Sequence, residues 1–261
     1  MPDFQAVSRA THASLRWRRY SSYAFAAGDA IAPLVAQELP RAAVALPIAF
    51  IASEERFLPV AVQGLAPGRN LFVAPDGRWL GGYVPAVYRG YPFALADTAD
   101  GQQVLCFDAE SGLLSDTKGE PFFDAEGAPA PPVREVIEFL SQVHANREAT
   151  TQLCAVLQRH GLIQPWPARI QTESGEQAIE GLHRIDEAAL NALSSEAFDE
   201  LRHAGGLPLI YSQLLSMQHM PILGRLAQAH AMVAKPAAGG ELDLEFLKQD
   251  GTIRFGNLDP S

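Results

Sequence analysis

"PIAFIASEERFLPVAVQGL", residues 47–65, holds two short apolar runs around a polar break at Ser53–Arg56. Runs this short, rich in Ile, Val and Phe and bounded by polar residues, read as strands. Glu54 and Glu55 read as solvated turn ends. The texture continues downstream through "NLFVA", "RWLGGYV", "FALA" and "QVLCFD", separated by Pro, Gly, Asn and Asp. "APGRN" and "APDGR" read as tight turns, because Pro presets φ and Gly accepts positive φ. Asp108 and Glu110 read as solvated turn ends as well. The expectation for residues 24–128 is a mostly antiparallel sheet or partial barrel of about five or six short strands. "PLVAQELPRAA" reads as a short helix leading into it, and residues 1–23 as a polar N-terminal arm.

At "EPFFDAEGAPAPP" the texture changes. Its prolines halt strand pairing and place Pro131 and Pro132 where a helix can begin. Val133, Val136, Ile137, Leu140, Val143, Cys154 and Leu157 then fall near one stripe, with Gly161 as the stop. The stripe weakens at "ANREATT", which predicts a bend or a break into two helices. "ARIQTESGEQAIEGLHRID" reads as a β-hairpin around Ser174–Gly175, inserted near residues 168–184 of a mainly helical part, 129–233. Asp186 and Ser194 read as helix caps, and Gly205 as a stop. Pro208 opens another apolar helix that Pro221 ends or kinks. Residues 234–261 read as a linker and a C-terminal hairpin at Asp250–Gly251. The fold class is therefore α+β, with the parts forming one compact unit.

The chain has 261 residues, 48% of them hydrophobic, enough for a sizeable core. Its net charge is −10 and its pI about 5.1. An acidic surface repels phosphate backbones and anionic lipid, so neither nucleic acid nor membrane insertion is expected. Arg16, Arg18 and Arg19 form a small basic patch beside Trp17 and Tyr20, read as a solvated face. Cys106 and Cys154 share no C-x-x-C spacing and read as reduced thiols, with a disulfide between them left open. No run approaches the roughly 18 apolar residues of a membrane span, and the opening residues lack the order of a secretory signal. The expected location is the cytoplasm.

Catalytic motifs are missing. The histidines, His12, His144, His160, His183, His203, His219 and His230, form no H-x-H, H-x-x-x-H or H-E-x-x-H pair, and no metal is expected. G-x-S-x-G, P-loop and G-x-G-x-x-G patterns do not occur, and no cofactor is expected. What stands out is "WLGGYVPAVYRGYPFAL", residues 79–95. Trp79, Tyr83, Tyr88 and Tyr91 offer apolar faces with polar edges, which suit sugars, aromatic side chains and extended peptides. Arg89 can hold a carboxylate through two parallel bonds, or lie on a ring face. Gly81–Gly82 lets the chain approach something closely. The competing reading is a corner where sheet meets helices, filled by rings, with Arg89 paired to Glu38. Glu38 and Arg41, three residues apart, form a second candidate site, or a plain surface ion pair. The helices around Leu207–Leu226, with Met217 and Met220 as adaptable contacts, read as core or as a partner surface.

In order and spacing, "YAFAAGDAIAPLVAQELPRAAVALPIAF", then "GLAPGRNLFVAPDGRWLGGYVPAVYRGYPFAL", then "LHRIDEAALNALSSEAFDELRHAGGLPLIYSQLLSM" resemble the bacterial SapC family. Tyr23 stands where that opening would have Phe. The resemblance covers nearly the whole chain after residue 20. It implies an accessory role in surface-layer (S-layer) or envelope processes, and brings no catalytic residue set. The expectation is a protein that binds a peptide, a protein partner or a small ligand. The alternatives are an enzyme acting on peptides or sugars, and a structural subunit of a homo-oligomer.

Overall fold

In a computed structural model, residues 3–98, 100–172 and 175–234 are described. The linker and hairpin expected beyond residue 234 lie outside them, as does Ser174 at the tip of the inserted hairpin. Ile48–Ser53 and Arg56–Val62 form the antiparallel hairpin that the opening stretch predicts, paired from Ile48–Ala61 to Ser53–Arg56. Glu54 turns the corner with φ 54°. The hairpin is the centre of a five-stranded sheet ordered Ile163–Pro165, Leu182–Ile185, Ile48–Ser53, Arg56–Val62, Ile31–Pro33, with every neighbouring pair antiparallel. Ile48, Ala49, Phe50, Val60 and Ala61 are fully buried. The sheet is covered on both faces, so its central strands are continuous apolar runs.

A second, three-stranded sheet orders Phe4–Ala6, Gln103–Asp108 and Phe93–Asp97, again antiparallel. Trp17, Phe93, Phe107, Phe122 and Val133 form its own small core. The rings pack edge to face, with Trp17 and Phe93 centroids 4.8 Å apart and Phe93 and Phe107 5.0 Å apart. Such pairs add about 0.5–1.5 kcal/mol each beyond area burial. The first residues, expected as an arm, are woven into this layer: Phe4–Ala6 pairs with Cys106–Asp108, and Trp17 is only 2% exposed. Composition hid this, because strands of two or three residues carry no periodicity to read.

One helix, Pro131–Arg159, spans both cores. Val136, Ile137 and Leu140 pack on the aromatic cluster, while Cys154 and Leu157 join the main one. The break expected at "ANREATT" does not occur. Asn146 to Thr151 continue the helix, and Thr150 folds its hydroxyl back to the Asn146 carbonyl at 2.6 Å. The same Thr150 oxygen accepts from Ala36 N–H at 2.7 Å, tying the helix to the segment that ends at Glu38. Asp186 and Ser194 cap their helices, and Gly205 ends one with φ 77°. Ala168–Thr172 and Gly175–Ile179 form the inserted hairpin, but Leu182–Ile185 leaves it to join the main sheet. Gln213 and Ser216, buried on Leu207–Ser216, bond the backbone of Ile48, and Gln213 also accepts from Ile185 N–H. Cys106 and Cys154 are free, buried thiols, and burial pushes the Cys154 thiol up to about 12.

Candidate functional site

The aromatic segment threads between the long helix and the turn at Ala36–Ala42. Pro85 starts the short helix Ala86–Arg89, which divides its surroundings into two sides.

On the first side the organising group is Glu38, 5% exposed. Its Oε1 accepts from Val35 N–H at 3.0 Å. Its Oε2 accepts from the Tyr83 hydroxyl and from Ala86 N–H, both at 2.8 Å. Arg89 Nη2 lies 3.9 Å from the same Oε2 and donates to Tyr83 Oη at 3.2 Å. The guanidinium also rests over the Phe139 ring at 5.3 Å, a cation–π contact. Burial, reinforced by the Glu38 charge, raises the Tyr83 hydroxyl above its ordinary range and keeps it a donor. The result is a joint in which a desolvated carboxylate has partners for both oxygens, as a buried charge requires. Arg41 lines the same shallow cavity of about 280 Å³, but the cation paired with Glu38 is Arg89.

Trp79 and Tyr88 turn inward. Trp79 donates Nε1–H to the Tyr83 carbonyl at 2.9 Å and stacks on Phe72, centroids 5.7 Å apart. Gly81 approaches this pair: a Cβ there would sit 2.8 Å from Trp79 Nε1 and 3.0 Å from Phe72. Tyr88, 5% exposed, donates to Gln63 Oε1 at 2.8 Å. Asn70 Nδ2 donates to the same oxygen at 3.1 Å, and Gln63 Nε2 is buried without a partner among the described residues.

The second side is open. Tyr91 stacks on Phe25 with centroids 3.8 Å apart and planes 11° apart. Its hydroxyl donates to Asp108 Oδ2 at 3.0 Å, and burial together with that carboxylate pushes it up to about 12. Asp108, 3% exposed, also accepts from the backbone of Asp3 and Glu110 through Oδ1. It is therefore a buried strut and not the solvated turn end that its sequence context suggests. Beside this pair lies a cleft of about 600 Å³ walled by the rings of Phe4, Phe25, Tyr88, Tyr91 and Phe93. Asp29, Asp108 and Glu110 supply its charge. Desolvation lifts the Asp29 carboxyl above its ordinary range, opposed by the Tyr88 hydroxyl. The cleft opens at the seam between the two cores, since Tyr88 belongs to the main one and Phe93 to the aromatic one. Seams between packed units are where concave sites form.

The structure thus brings Glu38, Arg41, Tyr83 and Arg89 around one cavity, places Tyr88 and Tyr91 at another, and packs Trp79 behind both. Phe4, Phe25 and Asp29 escape a sequence reading, because strand pairing and core packing deliver them from distant stretches. Among the described residues no group of three His, Cys, Asp or Glu side chains is placed to hold a metal ion. Among the same residues no helix is long and apolar enough to cross a membrane. The SapC family model matches residues 7–223. No curated protein and no solved structure matches the chain.

Proposed function

The chain belongs to the SapC family, and from that premise we propose that it is a cytoplasmic accessory protein that binds a peptide segment of a partner in support of surface-layer or envelope processes. The observation carrying this reading is the cleft of about 600 Å³ walled by five rings at the seam of the two cores. Rings held rigidly by stacking and by hydroxyl–carboxylate bonds offer contact area at low entropic cost. The acidic chain and its two free thiols are in keeping with a reducing compartment. Asp108 speaks against general acid–base work at this site. Three hydrogen bonds occupy most of its roughly four lone-pair positions.

The test is affinity capture from the native host with wild type, Arg89→Ala and Tyr91→Leu, read by mass spectrometry for proteins and small molecules. Loss of one specific partner in Tyr91→Leu, with a melting curve near that of wild type, supports the reading. Identical capture by wild type and Tyr91→Leu overturns it. The oligomer alternative draws on Tyr211 and Leu215, which lie one turn apart on a helix and are 48% and 64% exposed. Light scattering across a concentration series decides that point.

A further inference from the structure

We propose that the cleft at the seam accepts a basic side chain, the ammonium of Lys or the guanidinium of Arg, carried by a peptide with an apolar residue beside it. This rests on the binding reading above and names the chemistry of its ligand.

Charge and rings point the same way. The residues walling the cleft include Asp29, Asp108 and Glu110 and no Lys or Arg. The Tyr91 hydroxyl donates to Asp108 and the Tyr88 hydroxyl to Gln63 Oε1. Both hydroxyls are thereby spent on partners within the protein, and the two side chains line the cleft beside the exposed carboxylates. A cation over the face of such a ring is attracted by its quadrupole, most where water is excluded. An anion would face the exposed carboxylates of Asp29 and Glu110. Carboxylates alone would not define a site; here they sit in a walled cavity of about 600 Å³, far larger than an ion needs.

The neighbouring cavity argues for a peptide over a free amine. Val87, 39% exposed, lines the cleft and also a groove of about 230 Å³ whose walls are Pro33, Leu34, Leu58, Pro59 and Val143, with Glu38, Thr150 and Arg147 as its polar members. That groove is mostly apolar and adjoins the acidic cleft at one shared side chain. Two adjacent pockets, one acidic and aromatic and one aliphatic, fit two side chains of one extended chain.

The experiment is a calorimetric titration of the full chain with end-blocked pentapeptides Ac-Ala-Leu-X-Leu-Ala-amide, X being Arg, Lys, citrulline or Glu. The Arg and Lys peptides are expected to bind at least about tenfold more tightly than citrulline, and Glu weakest of all. Asp29→Asn/Glu110→Gln, changed at two exposed carboxylates, is expected to erase the preference while keeping the wild-type melting curve. Raising salt is expected to weaken the Arg peptide and leave citrulline unmoved. Equal binding of Arg and citrulline, preference for Glu, an unchanged preference in the double variant, or no binding by any peptide overturns the inference. The binding reading itself falls on a different result, identical host capture by wild type and Tyr91→Leu. A cleft that binds all four peptides equally and loses them in Tyr91→Leu leaves that reading standing without this one.

Discussion

On one side of the Ala86–Arg89 helix the Tyr83 hydroxyl meets a buried carboxylate at 2.8 Å; on the other the Tyr91 hydroxyl meets another at 3.0 Å. Glu38 and Asp108 are both nearly inaccessible, and both also take backbone N–H donors. The chemistry of the two pairs is the same. Their neighbours differ. The long helix lays Phe139 under Arg89 and narrows the first side around Tyr83 to a cavity of about 280 Å³, under half the volume of the cleft opposite. The second side falls where two cores meet without filling the space, and Tyr91 stacks on Phe25 at the edge of an open cleft. A ring with a hydroxyl is thus structural cement or ligand surface according to what packs against its far face.

Breaking the closed side should cost most. Glu38→Ala leaves Val35 N–H and Ala86 N–H buried without an acceptor and strands Arg89, so a loss of roughly 3–5 kcal/mol is expected in urea unfolding. A loss under about 1 kcal/mol would mean that water replaces the joint freely, and the contrast between the sides would vanish. Tyr91→Phe deletes one hydrogen bond on the open side while keeping the stack. About 0.5–1.5 kcal/mol is expected by the same measurement, together with intact peptide binding, since the ring remains. Arg89→Ala removes a half-exposed ion pair and a ring contact. Less than about 1 kcal/mol should be lost, because solvent screens the pair.

The smallest effect sharpens the comparison through pH. Desolvation raises the folded-state pKa of Asp29 above its unfolded value near 3.8. The folded state then holds its proton more tightly. Stability is greatest below the unfolded pKa and declines as pH rises through the raised one. Asp29→Asn should flatten that decline and leave the neutral-pH melting temperature equal or slightly higher. A steeper decline in the variant would show that Asp29 is stabilising as an anion.

Much of this was legible along the chain. Short apolar runs marked the strands Ile48–Ser53 and Arg56–Val62, and an apolar stripe between Pro131 and Gly161 marked the start and stop of the long helix, because a face buried along a helix leaves its repeat in the sequence. Cap residues Asp186, Ser194 and Gly205 were readable for an equally local reason, since each serves backbone groups within a few residues. The segment of rings could be picked out by composition, but not the division of labour within it. Trp79 and Tyr88 face inward, Tyr83 and Arg89 meet at Glu38, and Tyr91 opens on a cleft, although the three tyrosines share type and local context.

By itself, then, the sequence determined the local elements, their ends and the α+β class, because those depend on interactions a few residues long. Only the tertiary structure decided that Phe4, Phe25, Asp29 and Asp108 meet Tyr91, and that the strand Leu182–Ile185 crosses to the main sheet. Those contacts join residues far apart in the chain, and nothing in either partner's neighbourhood announces the other. The same holds for the empty space itself: a cleft is the volume that two cores fail to fill, and no residue encodes it alone.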